Sequence, residues 1–143
     1  KKYNFTIFDP FFNKNNKSIK IKNVKYYISK NEKKITNNKY HLLHFASCIQ
    51  YQKKFLEKID DFNLDKTEII IFTYTPFSLK KTYSSKQSNH INLVQNVHSL
   101  KTLISKLKKK KFSLIFKSRN KDKYIACKTK RFETYSLNLI FKK

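Results

Sequence analysis

The chain has 143 residues, with 33 lysines and arginines against 9 acids and a formal net charge of +24. That length fits one domain with a real core, and the charge repels itself unless a polyanion neutralises it. No apolar run approaches the roughly 20 residues that span a bilayer, so no transmembrane segment is expected. Glycine is absent, which excludes glycine-rich phosphate loops, dinucleotide fingerprints and the clamp of KH modules.

Short strands are predicted at Asn4–Phe8 and Ile19–Ile28, where Ile19 and Ile21 alternate with Lys20 and Lys22. A helix is predicted over Lys39–Phe62, capped by Asn37 or Asn38. Leu42, Phe45, Ile49, Leu56 and Ile59 fall on one stripe of it. A strand follows at Glu68–Tyr74, stopped by Pro76. Phe77–Asn89 reads as a polar loop. A second helix is predicted over His90–Lys108, with Leu93, Val97, Leu100, Ile104 and Leu107 as its apolar stripe. Phe112–Phe116, Lys123–Lys128 and Thr134–Phe141 read as a three-strand meander. The expected fold class is α+β: a mainly antiparallel sheet with two amphipathic helices packed on one face. One domain, 1–143, is expected, with a basic N-terminal segment and the basic meander at its C-terminal end.

Few residues offer site chemistry. His41, His44 and Cys48 would share a face of the first helix, but a closed zinc site needs a fourth ligand and no paired-cysteine motif supplies one. They read as neighbours of the core stripe. Asp60, Asp61, Asp65 and Glu68 form an acidic cluster that a nuclease would need for Mg²⁺. Its spacing fits a solvated helix end better. No nucleophile and base fall together. The expectation is therefore a chain that is not an enzyme, with no cofactor, no metal and no small-molecule substrate. Two distant cysteines, Cys48 and Cys127, are too few for a disulfide scaffold.

Basic segments carry the positive signal. Lys106, Lys108, Lys109, Lys110 and Lys111 run through the end of the second helix. There they complement the helix dipole or meet phosphate. Lys80, Lys81 and Lys86 populate the polar loop with Tyr83 between them. Lys117, Arg119, Lys121, Lys128, Lys130 and Arg131 crowd the meander. Basic residues with interleaved rings suit RNA, where rings stack on unpaired bases, and Tyr83, Tyr124 and Phe132 are the candidates. Arginine reads guanine edges in a bidentate fashion, whereas lysine is a point charge on phosphate. A chain with only Arg119 and Arg131 is equipped to sit on folded RNA through phosphates and shape rather than to read sequence.

Lys, Asn, Ile, Phe and Tyr make up more than half of the chain, while Ala occurs only at positions 46 and 126. That is the residue usage of a very AT-rich gene. In this character the chain resembles mitochondrial ribosomal proteins of AT-rich protist organelle genomes. The predicted β-α-β…α-β core is similar to the ferredoxin-like folds common among ribosomal proteins. Phe77-Ser78-Leu79-Lys80-Lys81 sits where the tenth protein of the small subunit has its basic extended hairpin, although the proline- and glycine-bearing signature of that hairpin is missing. The resemblance implies a structural constituent of a ribosome in the mitochondrial matrix, with a plastid second. Its partners would be rRNA and neighbouring ribosomal proteins. Two other readings fit the charge: a basic accessory subunit of a respiratory membrane complex, and a DNA-binding or nuclease protein. Asp9 and the lack of Arg near the N-terminus do not read as a transit peptide.

Overall fold

The structure, a computed structural model, describes residues 3–8, 22, 24–29, 33, 36–86, 94–123 and 134–143. Strands β1 (Tyr3–Phe8) and β2 (Val24–Ser29) pair in parallel. The remaining elements are β3 (Leu42–Ala46), a 3-10 turn (Ile49–Tyr51), the single-turn helix α1 (Phe55–Lys58), β4 (Ile69–Ser78), β5 (Tyr83–Lys86), β6 (Val94–Ser99), helix α2 (Leu100–Lys109), β7 (Ser113–Lys123) and β8 (Thr134–Lys142).

β4 organises a six-stranded sheet of order β5-β6-β4-β8-β7, with β3 also on β4. One edge of β4 pairs antiparallel with β8 along its length. The other edge pairs in parallel with β3 through Ile69–Thr73, then with β6 through Phe77 and Ser78. β5 pairs antiparallel with β6, and β7 with β8.

The sheet is therefore mixed, which corrects the expected mainly antiparallel, ferredoxin-like α+β arrangement. The two long helices are corrected with it. Within Lys39–Phe62, β3 gains a parallel partner in β4, and its side chains alternate, Leu43 buried and Leu42 exposed. The apolar spacing of that stretch fits a helix and a strand equally, and pairing to a distant strand decides the outcome. Within the second predicted helix, residues 90–93 lie outside the described residues and Val94–Ser99 form β6. Its Asn96 donates to the Gln50 carbonyl at 3.2 Å, and His98 Nε2 lies 3.2 Å from the Ile49 carbonyl. Pro76 does not end β4. It falls between the stretch paired to β3 and that paired to β6, where a missing N–H breaks no ladder on that edge. The polar loop at Phe77–Asn89 contains β5. Of the predicted meander, residues 124–128 lie outside the described residues.

One face of the sheet carries the core. Phe72 and Phe77 of β4 and Leu137, Leu139 and Phe141 of β8 pack with Phe55 and Ile59 below and with Leu100, Leu103 and Leu107 of α2. Phe72 is at its centre: its ring stacks on Phe45 at 5.1 Å and meets Phe77 and Phe141 edge-on at 6.0 Å. Offset-stacked and edge-on pairs suit the ring quadrupole.

Candidate nucleic-acid interface

α2 positions the densest basic chemistry. Ser99 starts it: the Ser99 hydroxyl accepts from the Thr102 N–H at 3.3 Å and donates to the Lys80 carbonyl at 3.0 Å. The helix ends in a left-handed residue, Lys111, with φ 68°. Phe112 N–H returns to the Leu107 carbonyl and Lys111 N–H to the Lys108 carbonyl, both at 2.9 Å. This is the capping pattern usually completed by glycine, which the chain lacks. Phe112 and Leu107, on either side of the turn, are both buried in the core cluster.

With Leu100, Leu103 and Leu107 facing the core, the opposite face presents Lys101, Thr102, Ser105, Lys108 and Lys109, all exposed. It holds no acid and no apolar side chain. Lys108 and Lys109 stand in the last turn, where the helix dipole alone accounts for a cation. Lys101 stands in the first turn, where the same dipole opposes it, so helix stability does not explain its place. Lys101 was missed in the basic runs; its spacing of four to Ser105 and seven to Lys108 is the signal that finds it.

Two members of the predicted lysine run are committed elsewhere. Lys106 donates to the Asp60 carboxylate, and Lys110 lies 3.1 Å from the same group. These hydrogen bonds hold the Asp60 carboxyl below the usual carboxylate range. Asp65 pairs with Lys39 at 3.3 Å and Glu57 with Lys54 at 3.5 Å. Asp60, Asp61 and Asp65 do line one open cleft of about 640 Å³, together with Lys110 and Lys143. Lys39 and the two α2 lysines thus occupy two of the four carboxylates, Asp65 and Asp60, that a nuclease would hold free for Mg²⁺. His41, His44 and Cys48 lie on and beside β3, not on a helix, and His44 Nε2 is 2.9 Å from the Thr73 hydroxyl. Among the described residues no three His, Cys, Asp or Glu side chains converge as metal ligands.

From α2 the chain runs directly into β7, the edge strand beside β8. Lys117 and Arg119 are exposed on it, and the Arg119 guanidinium lies 3.7 Å from the centre of the Tyr135 ring. Lys121 belongs to the same strand. Charges on an edge strand also guard against pairing with foreign strands. Between Lys101 and Lys123 the chain carries ten basic residues and one acid, Asp122. Lys80 and Lys81 are exposed after β4, Tyr83 is half-buried on β5, and Lys86 ends β5. Lys128, Lys130 and Arg131, like Tyr124 and Phe132, lie outside the described residues. The structure thus joins the helix-end and β7 groups through one turn. It sets the Lys80–Tyr83 group beyond the end of β4 away from the helix end, the end that Lys123 of β7 is level with through Tyr135.

Among the described residues no helix is long and apolar enough to cross a membrane. No protein-family model matches the chain, and no curated protein matches it. Solved structures similar to it include an S-adenosylmethionine-dependent methyltransferase from Clostridium acetobutylicum, with 11% sequence identity and a TM-score of 0.41 over 83% of this chain. The chain spans 65% of the length of that structure. The expectation that the chain is not an enzyme is corrected beside this finding, since the neighbour is an enzyme. At this level of similarity neither its cofactor nor its activity carries over.

Proposed function

We propose that the protein binds folded RNA through lysine–phosphate contacts, as a structural constituent of an organellar, most simply mitochondrial, ribosome. The observation that carries the reading is the exposed face of α2. Three lysines share a face without acids, and one of them, Lys101, sits where the helix dipole disfavours it. Phosphate compensates that cost; nothing within the helix does. The paired state of Asp60 and Asp65 supports the same reading, because it leaves neither carboxylate free to hold Mg²⁺. With about 8 lysines on phosphate, the slope of log affinity against log salt should be roughly −6 to −7. Titration of the protein with structured rRNA fragments across a salt series tests this. A slope near −2 would mean that most of the charge meets no phosphate.

A further inference from the structure

Resting on that reading, we propose that the open face of the sheet, opposite the core, is a stacking platform for unpaired RNA bases, with Tyr74 and Phe116 as its rings. Cross-strand register defines this face. His44, Ile71, Ile140 and Phe116 form one row across β3, β4, β8 and β7; beyond it Ala46 pairs with Thr73 and Asn138 with Ser118, on either side of a break in the β4–β8 register. Neither α1 nor α2 packs here, since their apolar residues join the core on the other side.

Of the three register shifts beside β8, two carry exposed rings. On β4 the shift falls between Phe72 and Thr75 and contains Tyr74; on β7 it falls between Leu114 and Phe116. Bulges of this kind re-aim side chains. Each leaves an aromatic ring in solvent, Tyr74 66% exposed and Phe116 48% exposed. Tyr74 is also held at φ 49°, a left-handed backbone that a bulky residue adopts only at a cost. Asn138 holds it there, accepting from the Tyr74 N–H at 3.0 Å. Its own amide donates to Ser118 at 3.1 Å and to Asn120 at 3.2 Å. Backbone strain spent on exposing a ring has no structural return, and such strain gathers at functional sites.

The occupant follows from charge. A second copy of a chain at +24 is repelled, whereas unpaired bases bring both the π-faces that stack on rings and the phosphates that the lysines require. Ring contact adds affinity without adding phosphate contacts, so its removal leaves the salt slope unchanged.

Fluorescence anisotropy with a labelled oligouridine and with a blunt RNA duplex, each across a salt series, separates the contributions. Tyr74→Gly should weaken oligouridine binding roughly fivefold to a hundredfold, leave the duplex and the slope unchanged, and raise the melting temperature by relieving the left-handed backbone. Phe116→Ser should weaken the single strand alike with an unchanged circular dichroism spectrum, while Tyr74→Phe retains binding. Equal affinity of all variants for oligouridine, or equal losses on duplex and single strand, overturns the platform. In that case steep-slope binding by the unaltered protein leaves the phosphate reading standing. Failure of the unaltered protein to bind either RNA sinks both.

Discussion

The two faces of the β4–β8 sheet are built from the same residue types to opposite ends. On the inner face Phe45, Phe55, Phe72, Phe77 and Phe141 meet one another within 6.1 Å, and helix and turn cover them. On the outer face Leu42, Tyr74 and Phe116 stand exposed among hydrogen-bonded Ser and Asn side chains. The contrast teaches that aromatic content alone does not separate stability from recognition; register does, because a bulge on β4 and another on β7 set which rings leave the core.

Substitutions should break that contrast in a definite order. Phe72→Ala, at the centre of the inner face, should cost about 3–5 kcal/mol in urea denaturation, whereas Phe116→Ala on the outer face should cost under about 1 kcal/mol. Ser99→Ala removes the α2 cap and the hydrogen bond to the Lys80 carbonyl; a loss of about 1–2 kcal/mol is expected by the same assay. Lys111→Gly should instead stabilise by about 1 kcal/mol, measured by thermal melting, since glycine adopts the left-handed cap without penalty.

Smaller still is the effect of acid. Burial pushes the His98 imidazole below its ordinary value, and the Ile49 and Gln52 backbone only partly opposes it. A depressed folded value means that the unfolded chain takes up the proton first. The contribution is complete above the unfolded value of about 6.5 and is lost as pH falls through the folded one. Stability should therefore decline on acidification below about pH 6.5, and less steeply in His98→Asn. A pH-independent melting temperature between pH 7 and 5 would contradict this burial of His98.

Some of this was legible in the sequence. Strong alternation in Tyr135–Phe141 and the run Ile69–Phe72 marked β8 and β4 without ambiguity. β3 was not legible, because five residues inside a stretch with helical spacing become a strand only through parallel pairing to β4, a contact that no local window contains. β6 was hidden for a different reason. Asn96, His98 and Ser99 are buried polar residues bonded to distant groups, so hydropathy gives no sign of a central strand. Of the candidate interface, the charge was legible and its allocation was not. Asp60 lies 46 residues from Lys106, and only the fold shows that this lysine and Lys110 are engaged while Lys101 is presented. Tyr74 gave no signal at all, since a left-handed tyrosine is a consequence of register.

The most direct test of the central claim is sedimentation of the native protein from organelle lysate on a sucrose gradient, at moderate and then high salt with Mg²⁺. The account predicts co-migration with a ribosomal subunit that survives high salt. Migration at the top of the gradient, or with a detergent-sensitive membrane complex, would contradict it.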